Sequence, residues 1–460
     1  MKKDRLLSRR RFLGEASCAA VGSTALYSSL LNLRMTSTAA AADLSPNDDY
    51  KALVCLFLAG GNDSYNMLVP NNNSAYAEYK NTRDNIALDK TELLPITSNG
   101  QPYSEFGIHP SMTDVRDLYN SDDLAFVANV GTLVRPTTKT DYNSKQFLPR
   151  GLFSHSDQQV HWQTSVPQIK GSSPGGWGGR TADLLMSMNE GSQVSMNISL
   201  SGVNIFQVGN DAFSYISGLN GGTDMVGYSD ATFAGAVDSL LEENYKNTFT
   251  RTFAKNTRRF IDSSIAFNEA IEGVDISTPL PPTRLAERFK MVARTIAARE
   301  ALNMKRQTFF IRAGGWDHHN EVNNAQTVML AEISQAIKYF KDALGEIGMT
   351  DNVVTFSASD FGRTLTSNGV GSDHAWGGNH MVMGGPVNGG RIYGTYPSLA
   401  LNSSQEVGRG RLIPTTSVDE YSSEIARWFG VSSSEMDTVF PNIKEFYDPM
   451  LITNPLGFLS

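Results

Sequence analysis

The chain has 460 residues, 40% of them hydrophobic and 19% charged, and a formal net charge of −8. That length suits one large α/β domain or two smaller ones, and the acidic balance gives no reason to bind nucleic acid non-specifically. Two cysteines exclude a disulfide-stapled scaffold.

Ser8-Arg9-Arg10-Arg11-Phe12-Leu13 is a twin-arginine pattern, followed by a weakly apolar stretch over residues 16–33 and the small-residue run Thr38-Ala39-Ala40-Ala41-Ala42. Basic start, apolar stretch and cleavage site in that order predict a twin-arginine (Tat) signal peptide over residues 1–42, removed on export to the periplasm or beyond. The stretch is short and broken by Ser and Gly, so no stable membrane anchor is expected after cleavage. The leader holds seven Lys/Arg and two Asp/Glu, which leaves 32 basic and 45 acidic residues behind it, a formal charge of −13. Cys18 departs with the leader and Cys55 stays alone in an apolar run, so stability must come from the core or from a bound ion.

After a polar lead-in, Lys51–Ala59 (KALVCLFLA) reads as a strand buried on both faces and ends in Gly60-Gly61-Asn62-Asp63. Residues 124–130 (LAFVANV) form a second run ending at Gly131. Residues 190–230, rich in Gly, Ser and Asn, read as irregular or hairpin excursions, and residues 235–270 as helical. A helix is expected over 284–304 from Leu285, Phe289, Val292, Ile296 and Leu302. The third strand, 307–313 (QTFFIRA), ends in Gly314-Gly315-Trp316-Asp317. A helix over 325–347 follows from Leu330, Ile333, Ile337, Phe340, Leu344 and Ile347. The fourth strand, 352–357 (NVVTFS), ends in Ala358-Ser359-Asp360, and a short run at 381–383 ends in Gly384-Gly385. Strands separated by helices predict a single α/β domain over 43–460 with a mostly parallel sheet covered on both faces, plus an insertion around 190–280.

Three of these runs end in small residues and then an aspartate: Asp63, Asp317 and Asp360. Ligands of open α/β sheets bind beyond the carboxyl ends of strands. Three carboxylates brought together there resist ionising unless a cation neutralises them. His318 and His319 follow Asp317, and His374 and His380 lie in a Gly-rich stretch after the fourth strand. Mixed Asp and His donors favour zinc, manganese or iron over calcium, as one or two divalent ions. Asp63 fits a helix cap as well as a ligand, and Asp360 fits an ion pair with Arg363 as well as ligation. His380 fits packing at a strand start, and His318 reads as a neighbour of the ligands.

Several stretches together resemble one exported bacterial family, domain of unknown function 1501. They are Gly60-Gly61-Asn62-Asp63 with Asn66 and Pro70; Ser154-His155 with Asp157-Gln158; Gly175-Gly176-Trp177-Gly178-Gly179-Arg180; Gly315-Trp316-Asp317-His318-His319; Ser359-Asp360-Phe361-Gly362-Arg363-Thr364; and Gly371 to His380 with Gly389-Gly390-Arg391-Ile392-Tyr393-Gly394. The resemblance spans about residues 50 to 430 and extends to the alkaline phosphatase and sulfatase superfamily. It implies an alkaline-phosphatase-like α/β/α sandwich with a metal centre at the strand ends. It implies ligand roles for Asp63, Asp317, His319, Asp360 and His374, with His380 as a further one. Alkaline phosphatases place Asp and His together where this chain has Asp360-Phe361, so that ligand is either lost or supplied by His374 or His380.

The expected function is metal-dependent hydrolysis of a small anionic substrate, a phosphate or sulfate ester. Ser154 is the candidate nucleophile, with Thr137, Thr138 and Ser64 as competitors, and Arg180 and Arg363 are candidates to hold substrate oxygens. Ser154 also fits a simple helix cap. The alternative is a secreted binding or assembly protein that keeps the fold, and perhaps a structural ion, without catalysis.

Overall fold

A computed structural model describes residues 50–169, 175–223 and 225–459. The expected leader, 1–42, lies outside the described residues. Residues from Tyr50 onward form one compact unit.

Among the described residues twelve strands are numbered in chain order: β1 (Lys51–Ala59), β2 (Leu68–Pro70), β3 (Leu94–Thr97), β4 (Glu105–Ile108), β5 (Leu124–Gly131), β6 (Asn197–Ser199), β7 (Ser214–Ile216), β8 (Arg306–Gly314), β9 (Val353–Ser359), β10 (Gly378–Met383), β11 (Ile392–Tyr393) and β12 (Thr416–Ser417). Strands β2, β4 and β3 make a small antiparallel sheet. The others form the central sheet in the order β11-β5-β10-β9-β1-β8-β6-β7, with β12 also on β5. Helices cover both faces of this sheet, giving an α/β/α sandwich. Helices Thr113–Asn120, Arg284–Ala297 and Val322–Glu346 pack on one another. His155–Thr164, Trp177–Leu185, Val418–Phe429 and Met436–Val439 form the other layer.

The apolar run of β1 is explained by its neighbours. It lies between β8 and β9, parallel to both, so every residue from Ala52 to Ala59 is buried. The register pairs Ala59 with Gly314 and Leu58 with Ser359. The three strands therefore finish at one level, and the residues after them, Gly60–Asp63, Gly315–Asp317 and Asp360, share one rim. Strand β10 runs against both β5 and β9, with Gly378 opposite Val130. That reversal brings its leading loop, with His374, to the same rim.

One expectation needs correction. Residues 190–230 contain β6 and β7, parallel strands that extend the central sheet. Their polar composition hides them: Asn197 is buried in β6, accepting from the Thr308 hydroxyl and donating to the Gln207 carbonyl. The 235–270 segment is two helices, Ala231–Leu241 and Thr248–Ile271, the second capped by the Asn247 side chain. Among the described residues no helix is long and apolar enough to cross a membrane.

Candidate metal centre

The rim is tightly folded. Gly60 has φ +124°, and a Cβ on it would lie 2.5 Å from the Asp317 nitrogen, so only glycine lets β1 turn this close to the loop after β8. Gly371 likewise stands where a Cβ would meet the His319 backbone at 2.5 Å. Loops from β1, β8, β9 and the approach to β10 are thereby pressed together.

Asp317 is the centre of what results. Its Oδ1 accepts from Arg363 Nη1 at 2.9 Å and lies 3.0 Å from His319 Nε2 and 3.1 Å from His374 Nε2. Its Oδ2 lies 3.4 Å from His155 Nε2. Burial alone would raise this carboxyl, but the Arg363 hydrogen bond and charge, aided by His319 and His155, outweigh it and hold it at about 2. Asp317 is thus an anion at any ordinary pH.

Each imidazole is anchored from behind through Nδ1. His374 Nδ1 meets the Phe153 carbonyl at 2.9 Å, His319 Nδ1 meets Asp373 at 3.0 Å, and His155 Nδ1 meets Asp360 at 2.6 Å. A carbonyl or carboxylate only accepts, so each Nδ1 carries a hydrogen, and in the neutral ring Nε2 presents its lone pair. Burial lowers the His374 pKa, keeping that ring neutral. His319 Nε2 and His374 Nε2 lie 3.0 Å apart, and buried His155 Nε2 has no hydrogen-bond partner. A cation shared by these side chains would neutralise Asp317 and give the His155 nitrogen a partner. Ligand atoms of His155, Asp317 and His374 all fall within 4.8 Å of one another.

The other expected residues sit around this cluster. Asp360 is fully buried and holds His155, Gln159 and the Gly60 amide. Asp63 forms a fully buried ion pair with Arg83 at 2.7 Å and accepts from the Ser372 hydroxyl at 2.7 Å, with no side-chain cap bond to its own helix. Ser372 in turn gives its carbonyl to Arg363, which grips Asp317 and the Gly60 carbonyl. Asp63 therefore supports the cluster through Ser372 and Arg363. His380 is buried inside the sheet between Trp162 and Tyr421, and burial lowers its pKa to about 3. His318 is buried beside Trp316. Phe361 packs its ring on His155 and His374.

Arg180 is buried away from the cluster and gives its guanidinium to the carbonyls of Gly175, Thr164 and Val439. Ser154 precedes the helix His155–Thr164 without a side-chain cap bond and shares a hydrogen bond with Ser156 at 3.1 Å. Ser64 accepts from the Asn379 amide, Thr137 donates to the Arg135 carbonyl, and Thr138 caps its own helix. The residue of this cluster that sequence reasoning passed over is His155. His155 and Gln159, four apart on one helical face, both reach Asp360.

Among solved structures the chain is similar to Ps i-CgsB in complex with k-i-k-neocarrahexaose, at 10% identity over 87% of this chain and 77% of that one, TM-score 0.32. It is similar to the PsFucS1 sulfatase from Pseudoalteromonas sp., at 11% identity over 83% and 68%, TM-score 0.31. A third is the lipoteichoic acid synthase LtaP from Listeria monocytogenes, at 9% identity over 85% and 75%, TM-score 0.28. No curated protein matches the sequence. The family described as Protein of unknown function (DUF1501) matches residues 50–438, a span that holds every residue of the cluster, and the chain belongs to that family.

Proposed function

We propose that the chain is an exported, metal-dependent hydrolase of a small phosphate or sulfate ester, holding one divalent ion on His155, Asp317, His319 and His374. The observation that supports it is the convergence of three Nδ1-anchored imidazoles on one ionised carboxylate. Such anchoring by oxygen acceptors is what metal-binding histidines need to present Nε2. Three nitrogens and one oxygen suit zinc, manganese or iron. A bound ion would supply Lewis acidity toward an ester oxygen and acidify nearby water. The chain's own part is to hold that acidity at a solvent-facing rim, where Asp317 is 44% and His319 42% exposed. Arg411 suits the role of anion holder. Its Nε donates to the His374 carbonyl while its guanidinium lies 4.6 Å over the Phe153 ring. Ser154, next to His155 and partly exposed, is the candidate nucleophile.

A second reading is a binding or assembly protein with a structural ion. Phe361 favours it, since its apolar ring covers His155 and His374 where the resemblance expects another ligand. One experiment separates the two. The protein is purified without added metal, its metal content measured, and aryl phosphate and aryl sulfate offered. The expected result is about one ion per chain and turnover of at least one ester. Both are lost in Asp317→Ala, and Arg411→Ala raises KM more than it lowers kcat. Metal without turnover supports the second reading. Absence of metal, or turnover surviving Asp317→Ala, overturns the site.

A further inference from the structure

The helix Thr248–Ile271 carries one apolar stripe along its length, but the body of the protein covers only half of it. Phe249, Phe253, Phe260, Phe267 and Ile271 follow one another at spacings of four and seven, and so share a face. Phe267 and Ile271 are buried, whereas Phe249 is 87%, Phe253 71% and Phe260 39% exposed. The preceding helix, Ala231–Leu241, has no buried residue and adds Phe233 and Leu240, both exposed.

Charge sets this half of the helix apart from the rest. Residues 248–261 contain Arg251, Lys255, Arg258 and Arg259 and no acid, on a chain whose overall charge is negative. Arg258 is bridged to Asp238 and Asp262, and Arg259 lies 4.1 Å over the Phe213 ring, while Arg251 and Lys255 are exposed. Glu242 and Glu243 stand in the connecting turn, so the positive stretch is the long helix alone.

We propose that the first half of this helix docks on an anionic lipid surface. Phe249, Phe253 and Phe260 enter the acyl boundary, and the cations on the helix's polar side reach the headgroups. A helix with aromatic residues on one face and Lys/Arg on its polar side has the form of an interfacial segment, and long basic side chains bury their stems while keeping the charge in water. A second copy of the chain is a poorer occupant. A two-fold interface would set the same basic stretch against itself.

The test is co-sedimentation of the full chain with vesicles of phosphatidylglycerol and phosphatidylcholine, and with phosphatidylcholine alone. The wild type should bind the mixed vesicles. The triple variant Phe249→Ser/Phe253→Ser/Phe260→Ser should bind them about tenfold more weakly. Arg251→Gln/Lys255→Gln should weaken binding and its salt dependence together. Matching circular dichroism melts confirm that the variants fold. Because wild type and variants share residues 1–42, only a difference between them reports on the helix. Equal binding by the triple variant, or equal binding of the wild type to phosphatidylcholine alone, overturns the proposal. So does a dimer that the triple variant abolishes without any change in vesicle binding.

Discussion

Asp360 is informative because it does its work one contact away from the expected ion. Its two oxygens tie the helix start at His155 to the turn after β1, through His155 Nδ1 and the Gly60 amide. Asp360→Asn keeps the volume but weakens the acceptor that orients His155. The expected outcome is roughly 10–100-fold weaker metal affinity with an unchanged fold, read by competition with a chelator. An unchanged affinity would show that His155 is positioned without Asp360. Asp317, His319 and His374 were legible in the sequence because they crowd into two short Gly-rich loops at strand ends. His155 was not, because only the packing of its helix on the rim aims it. The partner of Asp63 was hidden for a similar reason. Arg83 lies twenty residues on, at the end of a surface-patterned helix, yet both side chains are fully buried.

Among elements, the legible ones bury themselves by hydrophobicity alone. β1, β5, β8 and β9 are apolar runs flanked by neighbours on both sides, and the long helices Arg284–Ala297 and Val322–Glu346 show regular apolar spacing. β6 and β7 are three residues each, and β6 is secured by the hydrogen bonds of the Asn197 side chain, which leave no periodic trace. The antiparallel run of β10 is a tertiary outcome that composition does not encode. The turn after β1 yields an element-scale prediction. Gly60→Ala forces a Cβ into the Asp317 backbone at a positive φ. It should cost about 1–3 kcal/mol of stability in denaturant titration and loosen metal binding in parallel. A stable variant with weakened metal binding would still place the effect at the rim, whereas wild-type behaviour in both would refute the close approach.

For the whole molecule, stability should depend on pH through a carboxyl far from the cluster. Asp419, in the first turn of Val418–Phe429, is fully buried, and burial pushes its carboxyl up to about 7 against the pull of Arg180. Between about pH 4 and pH 7 the folded chain keeps a proton that the unfolded chain releases, so this group's contribution to stability falls as pH rises through that window. Urea midpoints measured at about pH 5 and about pH 8 should show the decline, and Asp419→Asn should flatten it. A variant with the wild-type slope would assign the pH dependence elsewhere. The placement of β1 has a consequence of another kind. Its two neighbours begin only at Arg306 and Val353. At about 5–20 residues per second, a ribosome takes roughly 15–60 s to make the intervening chain. For that time the nascent segment KALVCLFLA has neither edge paired. An apolar strand open on both sides invites association with other chains, so what this protein needs most during synthesis is a chaperone that shelters its first strand until its last third is made.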